Sequence, residues 1–105
     1  MGRKVRIEKV SEEEVGYTSI QGCIGIGYQD IVEVFGEPND GTEWFLKLDG
    51  VICTIYHYKS DENVNVRKVT KWHVGGFNEK AIRKVVKCFE KTGWKAWWLP
   101  FVSLS

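Results

Sequence analysis

The sequence predicts an α+β domain: a small antiparallel sheet of three to five strands, with a short helix at about residues 28–36 and a longer one at about residues 78–92 packed on it. Three observations carry this. Apolar and polar residues alternate in "KVRIEKV", "TEWFLKLDG" and "VRKVTKWHV", the period of a half-buried strand. Two stretches, "GYQDIVEVFGEP" and "NEKAIRKVVKCFEK", space their apolar residues at helical intervals instead. Asp49-Gly50, between two apolar runs, is a hairpin signal and makes at least one strand pair antiparallel. A length of 105 residues, 43% of them hydrophobic, suits a single domain with one core, residues 94–105 forming an aromatic C-terminal segment.

The opening strand sets Val5 and Ile7 against Arg6 and Glu8, and "SEEEVGYT" ends it. "TSIQGCIGIG" is apolar and glycine-rich, an extended segment or a loop packed on the core. In the first helix Tyr28, Ile31, Val32 and Phe35 make the apolar stripe, and Gly36 and Pro38 are stop signals. Trp44, Leu46 and Leu48 share one strand face, and the Asp-Gly turn leads into "VICTIYHYK". The polar "SDENVN" is a second turn and "VRKVTKWHV" a third strand. Asn78 suits the cap of the closing helix, with Phe77 and Ile82 at the positions of a hydrophobic staple. Ala81, Ile82, Val85, Val86 and Phe89 form its buried face.

The net charge of +1 favours no class of partner, but its distribution is uneven. Residues 1–65 carry six Lys/Arg against twelve Asp/Glu, and residues 66–105 nine against two. Cys23, Cys53 and Cys88 are odd in number and sit in apolar runs behind an N-terminus without signal-peptide character, which suggests a reducing, cytoplasmic setting. No run approaches the ~18 apolar residues of a membrane helix.

Four candidate functional features emerge. In "KWHVGG", Lys71, His73, Gly75 and Gly76 precede a helix N-terminus, so the two glycines are either a simple turn or, with a stacking ring from Trp44, Tyr56 or Trp72, an anion site for a nucleotide-like ligand. Lys80, Lys84, Lys87 and Lys91 make a basic row that is either solvated or a docking stripe for an acidic protein or a phosphate backbone. Trp94, Trp97, Trp98 and Phe101 must cover something: the domain's own sheet, a second copy of the chain, or a partner. Finally, strand alternation groups Val51, Cys53, Ile55 and His57 on one face and Ile52, Thr54, Tyr56 and Tyr58 on the other. With the aromatic face buried, His57 would lie exposed beside Cys53, where a Cys/His pair or a metal site with His73 and Cys23 can be imagined. No CxxC or HxxxH spacing backs it, so the expectation is core or edge positions, no metal and no cofactor. Catalysis by His73 as a base would need a nucleophile or cofactor loop, and no motif supplies one.

The combination "GYQDIVEVFGEP", "EW", "LDGVICTIYHYK" and "WHVGG" over residues 27–86 resembles a small uncharacterised domain recurrent in bacteriophage and large DNA virus genomes. That resemblance implies a viral accessory protein and transfers no activity and no site residue. The helix-then-hairpin order is also distantly similar to the repeat of β-lactamase-inhibitor-like domains, at the level of fold alone. The expectation is a non-catalytic protein that binds and masks a host protein, anchored by the C-terminal aromatics and steered by the lysine row, and self-associating through those aromatics. The alternatives are sequestration of a small anionic signalling ligand at "WHVGG" and nucleic-acid binding through the lysines.

Overall fold

Why one sheet can carry this domain is clear from where its large apolar residues fall. In a computed structural model, which describes residues 5–57, 65–90 and 97–100, six antiparallel strands form: β1 (Ile7–Lys9), β2 (Ser19–Gly25), β3 (Trp44–Leu48), β4 (Val51–Tyr56), β5 (Lys71–Gly76) and β6 (Trp97–Pro100). Their spatial order is β1-β3-β4-β5-β2-β6. Helix α1 (Tyr28–Phe35) links β2 to β3, and α2 (Lys80–Glu90) links β5 to β6. Strand alternation gathers Ile24, Trp44, Leu46, Leu48, Cys53, Ile55, Trp72 and Val74 on one face, where Ile31, Phe35, Ala81, Ile82, Val85 and Phe89 of the two helices bury them.

The α+β class and both helices stand as the sequence predicts. The sheet gains a sixth strand because the C-terminal aromatic run, which has no alternation to announce it, pairs with β2: Trp98 lies opposite Ile24, and Trp97 opposite Gly25. In "VRKVTKWHV" only the second part is strand. Asn65 accepts from Arg67 N at 3.0 Å and bends Val66–Lys68 into a 3₁₀ turn before β5 begins. A second 3₁₀ turn, Glu12–Val15, follows β1.

Local chemistry fixes the junctions. Asp49 and Gly50 have φ of 50° and 81°, the doubly left-handed turn that matches strand twist. Asp49 Oδ1 also accepts from Arg6 N at 2.9 Å, and Oδ2 holds Lys84 Nζ at 3.1 Å, so this turn ties β1 and α2 to the hairpin. At the end of α1, Gly36 N donates to Val32 O, and Gly36 O accepts from Trp44 Nε1 at 2.8 Å. Trp44 and Trp72 meet edge-to-face at 5.5 Å beneath Tyr28. Asn78 Oδ1 caps α2 through Lys80 N at 2.9 Å. Of the expected staple pair, Ile82 is buried and Phe77 is 57% exposed.

Candidate functional site

The sheet face opposite the helices carries the polar chemistry. Across it run the β3 to β5 positions Phe45, Thr54 and Gly75, and beside them Tyr56 and His73. The segment from Glu12 to Ser19 folds over one end and leaves a cleft of about 330 Å³. Phe45, Thr54, Tyr56 and Gly75 form the floor of the cleft. Val15, Gly16, Thr18 and Ser19 form its wall, with the carboxylate residues Glu12 and Glu43 at the lining. The segment is held in place by its own bonds: Ser11 N donates to Glu14 Oε2 at 3.1 Å, and Thr18 Oγ1 to Val15 O at 2.7 Å. Val15 is buried, whereas Tyr17, next to the wall, is 93% exposed.

The bulge in β2 between Ile20 and Gly22 shapes the adjoining edge. Gln21 Nε2 donates to Gly76 O at 3.0 Å and so keeps the two strands joined where the register shifts. Beyond the bulge Cys23 stands directly opposite His73, and His73 opposite Tyr56. Cys23 Sγ lies 3.4 Å from His73 Nδ1, and the Tyr56 and His73 rings stack at 5.5 Å. Burial holds the His73 pKa below its ordinary 6.5, and its neighbours Lys71 and His57 lower it further.

The seven residues proposed from sequence for an anion site separate. Tyr56, Lys71, His73 and Gly75 occupy the cleft-side face, whereas Trp44 and Trp72 are wholly buried under the helices. Gly75 and Gly76 are not a turn: both lie within β5, and neither has a left-handed φ. Their lack of side chains serves close approach. A Cβ on Gly75 would collide with Thr54 Oγ1, and one on Gly76 with the Ala81 methyl of α2. The face bearing Cys53 is the core face, and His57 stands edge-on to Trp72 at 5.3 Å, so the Cys53/His57 pairing does not arise on an exposed surface. The Cys53 thiol is pushed up to about 12 by burial, with Cys88 adding to the rise and Lys84 opposing it.

The lysine row is broken as well. Lys80 and Lys87 are exposed, but Lys84 is partly buried in its bond to Asp49, and Arg83 pairs with Glu79 at 3.2 Å. Trp97 and Trp98 belong to β6, whose backbone is paired within the chain. Tyr58, Lys91, Trp94 and Phe101 lie outside the described residues. Sequence reasoning missed Glu12, Val15, Tyr17, Thr18, Ser19, Glu43 and Phe45, because nothing periodic signals that residues 12–19 fold back over β3 and β4; the one available hint was that Thr54 and Tyr56 share a strand face.

Among the described residues, no group of three or more His, Cys, Asp or Glu side chains could hold a metal ion. No helix among them is long and apolar enough to cross a membrane. Comparison of the chain with protein-family models, curated proteins and solved structures found no match.

Proposed function

We propose that the chain is a small viral accessory protein of the host-cell cytoplasm that binds and masks a host protein without catalysing a reaction, and that the cleft beside residues 12–19 receives a basic side chain of that partner. The observation that carries the reading is the chemistry of the cleft lining. Two carboxylate residues, Glu12 and Glu43, stand with the hydroxyls of Thr18, Ser19, Thr54 and Tyr56 around an opening of arginine or lysine size. Carboxylates and hydroxyl oxygens accept hydrogen bonds from guanidinium and ammonium groups, and the two carboxylates repel phosphate. Glu13 and Glu14 extend the negative rim, and Tyr17 offers an exposed aromatic beside it, the residue type that most often anchors a protein contact. The resemblance of residues 27–86 to a recurrent phage domain supports the viral part.

This reading moves the contact surface from the lysine row to the opposite side of the sheet. It also favours a protein over the anionic signalling ligand, whose expected glycine turn is a strand. The test is an NMR titration of the isotopically labelled full chain with N-acetyl-arginine amide and, separately, with adenosine monophosphate. The cationic probe is expected to shift the amides of Thr54, Tyr56 and Gly75, and Glu12→Gln with Glu43→Gln is expected to abolish those shifts. Shifts with the nucleotide and none with the cation would overturn the proposal.

A further inference from the structure

A thiol and an imidazole that sit 50 positions apart in the chain meet on the sheet face that the helices leave uncovered. Antiparallel register places Cys23 opposite His73, and the bulge at Ile20–Gly22 sets that register. Cys23 is partly exposed, unlike the buried Cys53 and Cys88. Its sulfur is 3.4 Å from Nδ1, within reach of a hydrogen bond to sulfur, and Tyr56 stacks on the imidazole and fixes the plane of the ring. Tyr56 also lines the cleft, so the pair stands at the cleft's margin. Gly25, the next residue of β2 on that face, places no side chain beside the sulfur.

We infer that Cys23 and His73 form a nucleophilic pair that reacts stoichiometrically with small-molecule disulfides, captured as a mixed disulfide on Cys23. As the sulfur attacks, the Cys23 S–H proton passes to His73 Nδ1. A new S–S bond forms between Cys23 and one sulfur of the disulfide, the original S–S bond breaks, and the leaving thiolate takes the proton back from His73. Cys23 is oxidised and the released thiol is reduced, so no other oxidant is required. Among the described residues, the charged and titratable groups around the pair are Lys71 on β5 and Tyr56 and His57 at the end of β4, and Trp97–Pro100 of β6, which lies along the other side of β2, contribute none. Lys71 disfavours a second positive charge on His73, which suits an imidazole that accepts the thiol proton only in transit.

The test follows alkylation of Cys23 in the full chain by iodoacetamide, read at the peptide level by mass spectrometry, between pH 6.5 and 8.5. An ordinary thiol of pKa ~8.5 gains roughly fiftyfold in rate over that range. Cys23 is expected to change by less than about threefold, and His73→Gln to restore the steep dependence. Oxidised glutathione should add one glutathionyl group, at Cys23. A steep profile in the wild type, a flat one that survives His73→Gln, or no adduct at Cys23 would each overturn the inference. Should His73→Gln not fold, the rate at which oxidised glutathione adds to Cys23 of the wild type decides: a rise of less than about threefold from pH 6.5 to 8.5 sustains the inference, and a rise of roughly fiftyfold overturns it.

Discussion

Trp44 and Trp72 have the same side chain, the same complete burial and a shared edge-to-face contact, yet their indole nitrogens differ. Trp44 Nε1 donates to Gly36 O and closes the end of α1, whereas Trp72 Nε1 has no hydrogen-bond partner among the described residues. Replacing each by Phe removes similar volume, but Trp44→Phe also strips a carbonyl of its donor while Trp72→Phe removes an orphan. Trp44→Phe should therefore be the more destabilising by about 1 kcal/mol in urea unfolding. Gly76 gives a second residue-scale prediction. Gly76→Ala drives a methyl into Ala81 and should cost about 1–3 kcal/mol. Adding Ala81→Gly should recover part of that loss despite a helix-propensity cost of ~1 kcal/mol, and a double-mutant cycle would measure the coupling. Most residues of the "FGEP", "EW", "DG" and "WHVGG" motif are thus explained by packing and turns rather than by a ligand.

At the scale of elements, α2 is less independent than its sequence suggests. Its exposed row of lysines reads as uniform, but Lys84 reaches the Asp49 turn, with side-chain exposures of 28% and 16% for the pair, and Lys87 does not. Lys84→Glu should cost about 1–2 kcal/mol, because it leaves a partly buried carboxylate facing a like charge. Lys87→Glu should stay within about 0.5 kcal/mol, and equilibrium unfolding of the two single variants separates them. Both helices and the Asp-Gly hairpin were legible in the sequence, since periodicity and turn chemistry are local. The 3₁₀ turn at Val66–Lys68 was hidden because alternation in "VRKV" mimics a strand while the Asn65 side chain bends the backbone. β6 was hidden because strand pairing, not pattern, defines it. The candidate site was legible only in part for a related reason: neighbouring residues of "KWHVGG" face opposite ways in a strand, and Cys23 meets His73 only through a register shifted by a bulge.

At the scale of the molecule, pH acts on the open face of the sheet. His73 is neutral more readily folded than unfolded, since burial, Lys71 and His57 hold its pKa below 6.5. The unfolded chain therefore binds the proton first as pH falls, and stability rises with pH wherever it does so. The contribution is complete above about pH 6.5 and is lost as pH drops through the lower folded value. Urea midpoints from pH 8 to pH 5 should show that loss in the wild type, and His73→Gln should lack it.

The strand order also has a consequence for how the domain is made. β2 occupies residues 19–25, but its neighbours are β5 at residues 71–76 and β6 at residues 97–100. When Ile20 and Ile24 leave the ribosome they have nothing to pair with, and at about 5–20 residues per second the wait for β5 is on the order of seconds. The hairpin of β3 and β4 is free to form during that interval, whereas the centre of the sheet is not. Closing it over such separations is slow compared with helix formation. The sheet is therefore completed only after residues 97–100 emerge, and a nascent chain stalled before residue 71 presents an isoleucine-bearing strand with both edges unpaired.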